Sequence, residues 1–159
     1  MILAAALLAW TIVSLTGDSH AAGEPGKALA ALLRARGHTV LMDGRVGARA
    51  NSTRWRCDVT IVRLAFLGSN ETPSPYTKMV YEDLQAIIIG PPRSRRPRVE
   101  SMIRLLSTAK IRRYVDSSAC TDARWTTDGL HYGADGARRW AECILPRVLE
   151  LIALHATLK

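Results

Sequence analysis

Residues 10–23 read WTIVSLTGDSHAAG, and the fold turns on whether this segment stays in the protein. In one reading, Trp10-Thr11-Ile12-Val13-Ser14-Leu15 is a buried β-strand with polar residues tolerated near its end. Gly17-Asp18-Ser19 is then the turn at its carboxyl edge. In the other, an uncharged run ends in Ser19-His20-Ala21, a passable signal-peptidase site, and everything before the cut is discarded. The run lacks the Lys or Arg with which a signal normally begins, and Thr11, Ser14 and Thr16 interrupt it. It is also just short of the roughly 20 apolar residues of a membrane span. The rest of the chain decides between the two.

Downstream, short β-branched runs alternate with helical patterns. Residues 25–36 read as a helix: Pro25 suits its first turn, Leu29, Leu32 and Leu33 share a face, and Gly37 stops it. Strands are expected at 39–42, 58–64 and 86–89, with a helix over 76–84. Pro97 opens another helix, in which Val99, Met102, Ile103 and Leu106 follow the i, i+3, i+4, i+7 rule. Residues 112–115 make a fifth strand. A last helix begins near Asp135, with Ala137, Trp140, Ala141, Ile144 and Val148 on one face and a bend expected at Pro146. This alternation predicts βαβ units, a parallel sheet and right-handed crossovers. A chain of 159 residues fits one domain, spanning 1–159. In an open parallel sheet the chemistry gathers beyond the carboxyl ends of the strands, so a candidate site should fall just after a strand.

The composition bounds the partners. Hydrophobic residues make up 48 %, too many for a disordered chain. Lys and Arg number 22 against 14 acids, a net +8, which points to a polyanionic neighbour or an anionic substrate. The densest basic run, Arg93, Arg95, Arg96 and Arg98, follows the fourth strand. Residues 91–98 hold no aromatic side chain to stack on bases, which argues against nucleic acid. Cys57, Cys120 and Cys143 cannot all pair within one chain, and none sits in a CxxC, so neither a metal site nor a cofactor is expected. Cys120 and Cys143 pair if their elements pack together; otherwise they are buried free thiols.

Four groups survive the strand-end filter: Gly17-Asp18-Ser19, Gly44-Arg45-Val46-Gly47, Gly68-Ser69-Asn70 and Asp128-Gly129-Leu130-His131. A serine hydroxyl is a poor nucleophile until a base takes its proton. His131 is that candidate base. Asp128, three residues earlier, is close enough to hold the imidazole in one tautomer. A tetrahedral intermediate also needs donors aimed at its oxyanion. The N–H of Ser19, the N–H of Gly47 and the side-chain amide of Asn70 are the candidates.

This constellation resembles the SGNH hydrolase family, also called GDSL esterases, named for Ser, Gly, Asn and His in four blocks. Gly17-Asp18-Ser19 with Gly23, then Gly47, then Gly68-Ser69-Asn70, then Asp128 and His131 match those blocks in order, over residues 11 to about 148. The resemblance implies a flavodoxin-like three-layer α/β/α sandwich with a five-stranded parallel sheet. It implies Ser19, Asp128 and His131 as catalytic triad, and Ser19, Gly47 and Asn70 as oxyanion hole. Two positions depart from the pattern. His20 stands where Leu is usual, and Glu71 follows Asn70 where Asp is commoner, which puts the support of Asn70 in question.

Further residues carry two readings each. His20 either lines the site or is a loop histidine. Arg45 and Arg93 either bind an anionic substrate or are solvated. Trp125 and Tyr132, bracketing Asp128 and His131, either form a substrate-contacting wall or pack beneath that loop. The chain has little room for a lid, which favours an open site. The expected activity is hydrolysis of a short acyl ester, such as O-acetyl on a carbohydrate or cell-wall polymer. A thioesterase or lysophospholipase, a non-catalytic polyanion-binding module, and a small cationic secreted protein are the alternatives.

These blocks settle the opening question. Cutting after Ala21 would remove strand one and the only serine placed to use Asp128 and His131. The run is therefore read as a core strand, with residues 1–9 as an apolar lead-in. No membrane span is expected. Cytoplasmic location, or delivery without a cleaved signal, is favoured over a secreted or anchored form.

Overall fold

The computed structural model describes residues 11–50 and 61–157. In chain order the elements are β1 (Ile12–Gly17), a short helix α1 (Ser19–Ala22), α2 (Glu24–Arg34), β2 (Thr39–Gly44), β3 (Ile61–Phe66), α3 (Pro75–Asp83), β4 (Ile87–Ile89), α4 (Pro97–Ser107), β5 (Tyr114–Val115), two 3-10 turns (Ser117–Cys120 and Ala123–Trp125) and α5 (Ala134–Thr157). One sheet in the order β2-β1-β3-β4-β5 joins all the strands, each pair parallel. The apolar lead-in at residues 1–9, and residues 58–60 of the expected third strand, lie outside the described residues.

The pleat sorts side chains into two cores. Leu64, Phe66, Ile87 and Ile89 face one way and pack with Leu29 and Leu33 of α2 and with Trp140, Ile144 and Val148 of α5. Ala65 and Ile88, one residue out of phase, face the other way and pack with Tyr81 of α3 and with Met102 and Leu106 of α4. The result is the three-layer α/β/α sandwich. It also explains why β4 is isoleucine at every position: both faces of a central parallel strand are covered. Each isoleucine buried this way contributes about 2 kcal/mol. At the sheet edge, β2 buries Val40 alone and exposes Leu41 and Met42. Pro146 sits inside α5 without ending it.

Two features aim the chain at the carboxyl ends of the strands. β1 runs to Gly17, two residues beyond the expected end, and Gly17 has φ +128°. A Cβ there would lie 2.0 Å from the Phe66 carbonyl oxygen, so only glycine lets the chain turn this close to β3. The next N–H, from Asp18, donates to that same oxygen at 3.0 Å. Second, Cys120, in the first 3-10 turn, is joined by a disulfide to Cys143 in α5, with a Cα separation of 5.7 Å. The bridge decides between the two readings of these cysteines. It ties the segment leading to Asp128 and His131 onto the last helix.

Candidate active site

The site begins with a cap. Asp18 precedes α1, and its Oδ1 accepts the His20 N–H at 2.9 Å, fixing the first turn. Ser19 is the first residue of that turn and is half-buried. Its Oγ lies 3.0 Å from Nε2 of His131, 112 residues away. Nδ1 of His131 lies 2.7 Å from Oδ2 of Asp128. The other Asp128 oxygen accepts the backbone N–H groups of His131 at 2.7 Å and Leu130 at 2.9 Å. The His131 backbone N–H first, then its ring and the Leu130 N–H, hold the Asp128 carboxyl well below the usual carboxylate range. With Asp128 ionised, the proton of His131 sits on Nδ1 and donates to it. Nε2 keeps its lone pair for the Ser19 hydroxyl. Both side chains are nearly half exposed, so the arrangement is open to solvent.

Two further loops flank Ser19. The Arg45 N–H donates to the Gly17 carbonyl at 2.8 Å, tying the loop after β2 to the Ser19 turn. Gly47 in that loop has φ +79°, a conformation that favours glycine. Asn70 donates from Nδ2 to the Ala48 carbonyl at 3.3 Å, which joins the loops after β2 and β3 and leaves its second amide hydrogen. Among the described residues, neither the Ser19 N–H nor the Gly47 N–H donates a hydrogen bond.

Glu71 answers the question its sequence position raised. Its carboxylate, 6 % exposed, accepts the Ala50 N–H at 2.8 Å and the Gly68 N–H at 2.9 Å, bracing both loops. Burial pushes its pKa up, against the pull of the Ala50 N–H. No sequence signal distinguishes this brace from a solvated acid.

His20 lies beneath the site, not on it. It is 2 % exposed, so the reading in which it lines the site gives way to a buried role. Nε2 donates to the Leu130 carbonyl at 3.2 Å, and Nδ1 lies 3.0 Å from the Ser69 hydroxyl and 3.4 Å from Asp18 Oδ1. Burial alone would lower its pKa. The hydrogen bond and charge of Asp18 outweigh that, with the Leu130 carbonyl and Asp128 adding, and the net direction is up. One ring thus joins the serine turn, the residue before Asn70 and the residue before His131.

Tyr132 and Trp125 also pack. Tyr132 is 4 % exposed and its hydroxyl donates to the Arg93 carbonyl at 2.6 Å, so it packs beneath the loop. Trp125 is half-buried, its ring covered by the Arg139 guanidinium at 5.7 Å. Arg45 and Arg93 are exposed; Arg45 faces Asp43 at 3.4 Å and Arg93 bonds Glu100 at 3.2 Å. A shallow pocket of about 200 Å³ lies beyond Ala50 and Glu71, lined by Thr72, Tyr76 and Val80 among others; Ser19, Asp128 and His131 are not in its wall.

No family model and no curated protein matches the chain. Solved structures do. An alpha/beta hydrolase enzyme, LAE5, from the metagenome of Lake Arreo, Spain, superposes with a TM-score of 0.64 at 14 % identity, covering 89 % of this chain and 96 % of that one. A protein described as a GDSL-like lipase, from Parabacteroides merdae, does so at 0.58 and 15 % identity, again with 89 % and 96 % covered. The chain shares their fold. That fold is the SGNH-type sandwich the four blocks implied.

Proposed function

We propose that the protein is an ester hydrolase of the SGNH type. One observation supports this above all: Ser19, His131 and Asp128 form a continuous hydroxyl–imidazole–carboxylate line at 3.0 and 2.7 Å. In this reading Ser19 Oγ attacks the ester carbonyl carbon while Nε2 of His131 takes the hydroxyl proton. The carbonyl oxygen gains the negative charge, and the donors at Ser19, Gly47 and Asn70 receive it. The intermediate collapses by breaking the bond to the alcohol oxygen, which leaves with the proton held on His131. Water then attacks the acyl-enzyme, His131 again taking a proton, and the acid departs as Ser19 regains its hydrogen.

The half-exposed His131 and Asp128 favour a short acyl group on a polar or polymeric alcohol over a long chain needing an enclosed pocket. The test is hydrolysis of p-nitrophenyl acetate by the protein and by Ser19→Ala. Turnover by the first and its loss in the second is the expected result. Equal inactivity, with circular dichroism showing both folded, sinks the reading.

A further inference from the structure

The loop between β4 and α4 carries Arg93, Arg95 and Arg96, and Arg98 follows in the first turn of α4; all four are exposed. A loop that merely displays charge to water needs no fixed shape. This one is held at nearly every residue. The Arg95 N–H and the Ser94 hydroxyl both donate to the Gly129 carbonyl, each at 2.8 Å, and Ser94 is 4 % exposed. The Arg96 N–H donates back to Ser94 Oγ at 2.9 Å, and the Arg93 N–H to Thr121 Oγ1 at 2.8 Å. On the other side, Arg98 donates to the Ser69 carbonyl at 3.3 Å. The loop is therefore pinned to Gly129, two residues from His131, and to the residue before Asn70. Arg93 is paired with Glu100. Arg95 and Arg96 have no ion pair among the described residues.

We propose that this arginine platform is a binding subsite for an anionic group on the non-reacting part of the substrate, a carboxylate or a phosphate. The inference rests on the esterase reading and names its substrate class. Guanidinium groups take both anions through paired N–H donors, and the hydrogen-bonded backbone beneath them is tied to Gly129, two residues from His131. At an exposed site the gain is in capture, so it appears in KM and weakens with salt.

Three acetate esters test it: 4-acetoxybenzoate, its neutral methyl ester and 4-acetoxyphenyl phosphate. The variant is Arg95→Ala/Arg96→Ala, which keeps the backbone N–H bonds. The ratio of anionic to neutral kcat/KM is expected to be about tenfold higher in the unmodified protein than in the variant. The difference should lie in KM and vanish in 0.5 M NaCl. Whichever anion shows it is the source. Hydrolysis of the neutral ester with a ratio the variant leaves unchanged overturns the subsite and spares the esterase reading. If no ester is hydrolysed, that reading fails instead. The subsite then stands or falls on whether 4-acetoxybenzoate, titrated into Ser19→Ala, shifts the Arg95 and Arg96 Nε–H resonances.

Discussion

His20 and Leu130, 110 residues apart, meet where the buried imidazole donates to the carbonyl just ahead of His131 at 3.2 Å. That carbonyl belongs to the peptide unit whose N–H is held by Asp128. The peptide entering His131 is thus fixed from both ends. His20→Leu removes the donor and leaves Asp18, 1 % exposed, without its imidazole neighbour. We expect a loss of about 3 kcal/mol, read from urea unfolding. The raised His20 pKa gives the pH dependence. This contribution is full below the unfolded value of about 6.5 and is lost as pH rises through the higher folded value. The unmodified protein should therefore lose Tm as pH rises above about 6.5, and the variant should lack that component.

Asp128→Asn keeps the size of the side chain but removes the charge that fixes the His131 tautomer. A fall of about 10³–10⁴ in kcat, with KM little changed, is the expected outcome. Because Asp128 stays ionised far below the ordinary carboxylate range, it is not the group whose protonation sets the acid limb of the rate profile. An acid limb that disappears in a variant with residual activity at Asp128 would contradict this.

Asn70→Ala removes one proposed oxyanion donor and the Ala48 tether together. Loss of a single such donor costs about 10²–10³ in kcat. Glu71→Gln offers one acceptor oxygen where the carboxylate offers two, so either the Ala50 or the Gly68 N–H loses its partner. It should cost about 1–3 kcal/mol of stability and lower kcat less than Asn70→Ala. The reverse order would remove Asn70 from the oxyanion role.

Reduction by dithiothreitol opens the Cys120 to Cys143 bridge, whose partners are 23 residues apart in sequence. Closing a loop of that length is worth about 3 kcal/mol. Differential scanning calorimetry should show Tm falling by roughly 6–12 °C in the reduced protein.

The sheet is legible in the sequence where local pattern and packing agree. Ile87-Ile88-Ile89 reads as a central strand because apolar residues at consecutive positions need two covered faces. Ser19, Asp128 and His131 are legible as candidates because strand ends and a three-residue spacing place them in loops on one edge. His20 is not. A histidine beside a serine has no periodicity to show where its ring points. Its burial depends on Ser69 and Leu130, 49 and 110 residues away. Tyr132 fails for the same reason, its partner being the Arg93 carbonyl 39 residues earlier. The cysteine pairing depends on how a 3-10 turn seats against α5, which no local pattern encodes.

That pairing has a consequence for the chain once it is cut. Asp128 and His131 both lie between Cys120 and Cys143, inside a covalently closed ring. A protease that nicks the ring once produces two chains that still migrate as one molecule until a thiol is added. Asp128 and His131 therefore stay joined to the fold after a single cut in their own loop.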